Sequence, residues 1–162
     1  MSSSVEQFAH QDSDRSHHTG NREGASVLAR RPILTGVGVG VASLAPHFFL
    51  PPEASLGFAA VLVALIAGVY FGFAVMNGSA RDQFVEFNVT GGFAVAALLG
   101  LLLWPILLPL AYLAHGLWDL AHHNRSSLSL VRIPQWYVPW CAIIDLIIGV
   151  GLLVIWTSHG IL

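Results

Sequence analysis

The chain has 162 residues, of which 55% are hydrophobic and 10% are charged, with a formal net charge of −2. Soluble domains are usually about one-quarter charged, so the composition and the mean hydropathy of +0.69 exclude an ordinary water-soluble domain. The sequence has no basic stripe, which argues against a nucleic-acid partner, and no lysine, which excludes Schiff-base chemistry and a P-loop. Its single cysteine, Cys141, cannot form an internal disulfide.

Polar residues are concentrated at the N-terminus, where half of the charged residues precede residue 32. We predict that residues 1–30 form a disordered cytoplasmic tail, because this stretch has too few apolar side chains to offset its ordering entropy. Residues 31–162 are predicted to form a single transmembrane helical domain. The Arg30–Arg31 pair also resembles a twin-arginine export signal, with cleavage after Ala45 as the alternative to arginines that simply flank a first membrane helix.

Beyond the tail, apolar runs alternate with short polar breaks, and we interpret each run as a helix because backbone groups in lipid must be paired internally. The runs approach the ~20 residues that cross a hydrocarbon core. The predicted spans are Pro32–Leu50, Ser55–Met76, Glu86–Leu101, Pro105–His123 and Val138–Thr157.

The region 86–123 is divided into two spans because one helix of that length would extend about 57 Å, nearly twice the ~30 Å core. Pro105 disfavours helical geometry at Trp104 and marks the division. With five spans, all flanking arginines fall on the side of the N-terminus, which the positive-inside rule makes cytoplasmic. We therefore predict an all-α integral membrane bundle of five transmembrane helices with a cytoplasmic N-terminus.

Several ionisable side chains lie inside or at the ends of these spans. A charge at the centre of a membrane helix costs roughly 2.5–3.5 kcal/mol, so such residues are usually paired or functional. Imidazole and carboxylate groups on one helix face suit zinc, iron or manganese, and a further carboxylate can act as a general base. The predicted metal ligands are His115, Asp119, His122 and His123, and the predicted general bases are Glu86 and Asp145. The five-span topology places them all in the cytoplasmic half of the bilayer.

These residues also have structural interpretations that the sequence leaves open. His122 and His123 could simply end a helix, where positive charge favours the dipole, and Asp119 could pair with Arg125 or Arg132. Residues 137, 141, 145 and 149 repeat every four positions and predict one stripe on the last helix. The glycines at 36, 38, 40, 91 and 92 indicate close helix packing.

Two motifs mark the second half of the chain. HGxWDxxHH comprises His115, Gly116, Trp118, Asp119, His122 and His123, and PxWYxPxCxxxD comprises Pro134, Trp136, Tyr137, Pro139, Cys141 and Asp145. Together they resemble an uncharacterised family of small bacterial multi-span membrane proteins. The resemblance covers about residues 68–157 and implies a multi-pass membrane helical bundle in the bacterial inner membrane, without an established activity.

Three functions follow as hypotheses. The first is a metal-dependent enzyme that acts on a lipid-like substrate from the cytoplasmic leaflet. The second is a protein that handles protons or metal ions; because the chain is short and shows no internal repeat, such a transporter would work as a homo-oligomer. The third is a scaffold in which the polar residues hold helices together. The lipid bilayer is the predicted partner in each case.

Overall fold

The computed structural model describes residues 27–123 and 130–162, and within these ranges it is helical without strands. The described residues contain five helices longer than ten residues: α1 (Pro32–Leu44), α2 (Pro52–Asn77), α3 (Ala80–Leu102), α4 (Leu107–His123) and α5 (Tyr137–Ser158). A helical turn, Val27–Arg30, precedes α1, and a 3-10 turn, Ala45–Phe48, follows it. The all-α prediction is confirmed. Apart from that first turn, the predicted tail lies outside the described residues.

The helices differ in length. Helices α2, α3 and α5 have 26, 23 and 22 residues and are long and apolar enough to cross a membrane. The apolar stretch Pro32–Phe48 is shorter, and α4 has 17 residues. The part of the chain that the structure covers therefore contains five helices at the predicted places, and three of them have the length and composition of a membrane span.

The division of the middle region is confirmed, because α3 ends at Leu102 and α4 begins at Leu107. The start of α3 differs from the prediction: the helix begins at Ala80 instead of Glu86. Ser79 Oγ accepts a hydrogen bond from the Asp82 backbone N–H at 3.3 Å, and the Asp82 carboxylate accepts one from the Ser79 N–H at 2.8 Å. We predicted these polar residues as a break between spans. Because they form a capping box, the helix instead begins about one and a half turns earlier.

Small residues let α1 approach α5. A Cβ atom at Gly36 would overlap Ile143 Cγ2, and one at Gly40 would lie 3.0 Å from Ile147 Cβ. Close packing at these two glycines is confirmed. Gly38 and the pair at 91 and 92 have no described atom within 4 Å of such a Cβ, so the packing prediction is wrong for them.

The helices alternate in direction, which brings one terminus of each of the five helices to the same end of the bundle. Two residues connect α2 to α3, and the rings of Phe73 and Tyr137 lie 5.5 Å apart, joining the end of α2 to the start of α5. We call this the Asn77 end; it contains Pro32, Asn77, Ala80, His123 and Tyr137. Helix α5 packs against α4 and α1, while α2 packs against α3 and α4.

Candidate metal site

Four buried side chains from α4 and α5 converge in the bundle. His115 and Asp119 are four residues apart on α4, and Cys141 and Asp145 are four residues apart on α5, so each pair projects from one helix face. Each residue offers one ligand atom, and these atoms all lie within 4.8 Å of one another. A Cβ at Gly116 would contact Asp145 Cβ at 3.5 Å, so this glycine keeps the space between the two helices small. We call these four residues the core cluster.

Hydrogen bonds order the core cluster. His115 Nδ1 lies 2.7 Å from Asp145 Oδ2 and 3.8 Å from Asp119 Oδ1. The Tyr70 hydroxyl on α2 donates to Asp119 Oδ1. The Cys141 thiol lies 3.9 Å from Asp145 Oδ2. The contacts fix the ring of His115 through its Nδ1 atom and leave its Nε2 atom for another partner.

Three buried atoms of the core cluster have no hydrogen-bond partner among the residues that the structure describes: His115 Nε2, Asp119 Oδ2 and Asp145 Oδ1. Buried polar side-chain atoms are usually satisfied, so these three atoms are candidates to contact a bound ion, a water molecule or a proton. Two carboxyl groups face one imidazole here, and the ion pairs found within the described ranges join these carboxyl groups to no arginine. A cation or a bound proton would compensate the excess negative charge.

A second polar group lies beside the core cluster. His122 Nε2 lies 2.9 Å from Glu86 Oε1, and the Trp118 indole N–H donates to Glu86 Oε2 at 3.2 Å. His122 Nδ1 donates to the Trp118 carbonyl oxygen at 3.0 Å, because a carbonyl can only accept. Both nitrogens of His122 and both oxygens of Glu86 are therefore engaged, so neither side chain offers a free ligand atom.

Aromatic rings enclose the imidazoles of both groups. The Tyr70 ring lies 5.5 Å from the His115 ring and 4.6 Å from the His122 ring. The ring of Phe93 on α3 packs edge-to-face with the His115 ring, with their centroids 5.1 Å apart. The imidazoles are held by packing as well as by hydrogen bonds, which restricts the directions in which they can offer a nitrogen.

The structure brings together most of the residues that the sequence singled out. His115, Asp119 and Asp145 meet in the core cluster, and Glu86 and His122 pair next to it. The side chain of His123, predicted as a further ligand, is exposed and lies outside both groups. Arg132 is also exposed, while buried Asp119 bonds Tyr70, so the alternative Asp119–Arg132 pair is not formed. Arg125 lies outside the described residues.

Two members of the site were missed by sequence reasoning. Cys141 was placed on the same stripe as Asp145, and this spacing was a signal that it could join the ligands. Tyr70 lies in an apolar run of α2, and nothing in its local sequence indicates a carboxylate partner 49 residues away. All members of both groups lie within eight residues of the Asn77 end, about 12 Å along a helix axis.

The comparisons with known proteins give a family without an activity. No curated protein and no solved structure matches the chain. A family model described as "Family of unknown function (DUF6010)" matches residues 31–158, which includes the 68–157 region of the resemblance drawn from the two motifs. The chain therefore belongs to this family of unknown function, DUF6010.

Proposed function

We propose that this protein is a multi-span membrane protein that binds a divalent transition metal ion in the core cluster. The observation that carries this proposal is the set of three unpartnered buried atoms on His115, Asp119 and Asp145, whose side chains can offer ligand atoms within 4.8 Å of each other. A divalent ion held by these side chains would compensate the charge of the two carboxylates.

The donor set favours zinc or iron over manganese. Cys141 adds a sulfur ligand to one imidazole and two carboxyl groups, and thiolate ligands suit zinc and iron, whereas manganese favours oxygen ligands. The proposed ligands are therefore His115, Asp119, Cys141 and Asp145. His122 and Glu86 take a supporting role, because their mutual contact and the Trp118 contacts use all their polar side-chain atoms.

We assign the site to an enzyme that acts on a lipid-like substrate. Cys141 belongs to the core cluster and also lines an apolar groove of about 230 Å³ between α1, α2 and α5. A hydrocarbon chain in this groove would lie beside the metal ligands and remain in contact with apolar side chains. A metal ion bound there would supply a Lewis acid or an activated water for a polar bond of the substrate.

A proton relay is the second candidate function, because the same groups form a continuous series. The Tyr70 hydroxyl contacts Asp119, Asp119 lies 3.8 Å from His115 Nδ1, and His115 contacts Asp145 at 2.7 Å. Imidazole and carboxyl groups at these separations can exchange protons, and ionisable residues within membrane helices commonly serve this purpose.

Metal analysis separates the two functions. The full chain, purified in detergent without chelators, should contain about one zinc or iron per protein by inductively coupled plasma mass spectrometry. His115→Gln and Cys141→Ser should each lose this metal, because water replaces a lost ligand poorly. The matched control is His123→Gln, which removes an exposed imidazole four residues after Asp119 and should retain the metal.

The outcomes distinguish the hypotheses. A folded wild-type protein that binds none of the added zinc, iron or manganese refutes the metal site and leaves the proton relay. Loss of metal in His123→Gln to the same extent as in His115→Gln would mean that the ligands are not those of the core cluster.

We further propose five membrane spans with a cytoplasmic N-terminus. Reporter fusions after Ser79 and Ser127 should report the cytoplasm, and a fusion after Glu53 should report the opposite side. Disagreement between the Ser79 and Ser127 fusions would show that α3 and α4 do not both cross the membrane, and the proposed depth of the site would be wrong.

A further inference from the structure

Two cavities lie along one face of α2. Leu62, Ile66, Val69, Phe73 and Asn77 are spaced by three or four residues and form a single stripe on that helix. The first three line the apolar groove that Cys141 also lines, and the last two line a second cavity of about 510 Å³ at the Asn77 end. We call them the chain groove and the headgroup pocket.

The headgroup pocket contains an arginine in a fixed position. Val131 and Ile133 are 4% and 3% exposed and pack with Tyr70, Ala74 and Val138, whereas Arg132 between them is exposed and lines the pocket. The buried neighbours on both sides anchor the backbone at Arg132. No ion pair among the described residues uses its guanidinium group. In the part of the chain that the structure describes, the pocket therefore presents a guanidinium group outside any ion pair, together with the Asn77 amide.

The chain groove begins next to this pocket. The rings of Phe73 and Tyr137 lie 5.5 Å apart, and Phe73 lines the headgroup pocket while Tyr137 lines the chain groove. From Tyr137 to Ile148 the groove follows α5 for about 16 Å. The indole nitrogen of Trp140, which also lines the groove, is buried and has no hydrogen-bond partner within residues 27–123 and 130–162. It can donate to an ester or hydroxyl oxygen near the polar end of a chain.

From this arrangement we infer that the protein binds a lipid with a phosphate-bearing headgroup. The phosphate contacts Arg132 and Asn77 in the headgroup pocket, and one hydrocarbon chain lies in the chain groove. The junction between headgroup and chain then lies near Trp140 and Cys141, so a polar bond at that junction faces the proposed metal site. This inference rests on the proposed function for the reaction, but the binding of the lipid can be tested without the metal.

The test is a lipid titration of the full chain in neutral detergent micelles, with bound lipid counted by native mass spectrometry. The probes are phosphatidic acid and a diacylglycerol with the same two acyl chains. The structure predicts tighter binding of phosphatidic acid. Arg132→Gln should weaken its binding at least about fivefold, the factor that ~1 kcal/mol per interfacial arginine represents, and should leave diacylglycerol binding unchanged.

Arg81→Gln is the matched control, because Arg81 is an exposed arginine at the same end of the bundle but outside both cavities. It should leave phosphatidic acid binding unchanged. Equal losses of phosphatidic acid affinity in the two arginine variants would mean that any positive charge at this end attracts anionic lipids. That result would refute the headgroup pocket as a specific site. Equal binding of both lipids by the wild-type protein would overturn it as well.

Two further arms identify the source of the phosphate and the role of the chain. Inorganic phosphate and glycerol 3-phosphate should not displace phosphatidic acid at equal concentration; displacement would assign the pocket to a free phosphate. Val69→Trp, which fills the chain groove at a partly exposed position, should weaken the binding of both lipids. His115→Gln, which changes a proposed metal ligand outside both cavities, should lose the metal and keep the lipid, so failure of the metal site and failure of the lipid site are distinguishable.

Discussion

The contact between Tyr70 and Asp119 gives a prediction that tests the core cluster directly. Tyr70→Phe removes only the hydroxyl and leaves the ring, which is 1% exposed, in its packing. The lost bond leaves Asp119 Oδ1 buried without its donor, and a buried acceptor left unsatisfied costs about 1–3 kcal/mol. We expect the free energy of unfolding to fall by that amount.

Tyr112→Phe is the matched comparison. Tyr112 is 0% exposed, and its hydroxyl donates to the Ala59 carbonyl oxygen at 2.8 Å. A neutral hydrogen bond contributes about 0.5–1.5 kcal/mol, and a carbonyl inside α2 keeps its helical hydrogen bond when the tyrosine hydroxyl is removed. Tyr112→Phe should therefore cost roughly half as much as Tyr70→Phe.

The assay is equilibrium unfolding by SDS in mixed micelles, followed by far-ultraviolet circular dichroism, with chelator present so that metal loss does not contribute. A double-mutant cycle of Tyr70→Phe with Asp119→Asn should give a coupling of about 1 kcal/mol or more, whereas Tyr112→Phe with Asp119→Asn should be additive within about 0.5 kcal/mol. A cost for Tyr70→Phe no larger than that for Tyr112→Phe, or an additive first cycle, would refute the reasoning.

Three further predictions concern the packing of α1 on α5, the cap of α3 and the contact between α3 and α4. Gly36→Ala should lower the free energy of unfolding by about 1–3 kcal/mol, because the added Cβ would clash with Ile143. Gly38→Ala in the same helix is the control and should be neutral or stabilising by up to ~1 kcal/mol. Equal effects of the two substitutions in SDS unfolding would contradict the α1–α5 packing. Ser79→Ala should cost about 0.5–2 kcal/mol in the same assay through loss of the capping box, and an unchanged stability would mean that α3 does not need this cap. Trp118→Phe should lower the free energy of unfolding by about 1 kcal/mol, because it removes the indole donor to Glu86. This variant should keep its metal, since Trp118 is not part of the core cluster.

Local sequence was sufficient to predict the helices and the closeness of the two residues within each pair of the core cluster. Hydrophobic run length and the position of Pro105 depend on neighbouring residues only, and they located five helices and the break between α3 and α4. His115 and Asp119 are close because helical geometry brings residues four apart onto one face, and the same rule applies to Cys141 and Asp145. Neither pair requires knowledge of the fold.

The partners across helices depended on the tertiary structure, because they are set by which helix faces pack together. The Asn77 end brings Tyr70 to Asp119, Glu86 to His122, and the α4 pair to the α5 pair, over separations of 30 residues and more. Periodicity determines the face on which a side chain lies but contains no information on the neighbouring helix or its rotation. For that reason we predicted both His122 and His123 as ligands from the sequence. In the structure, packing against α3 places His122 in contact with Glu86 and leaves His123 exposed.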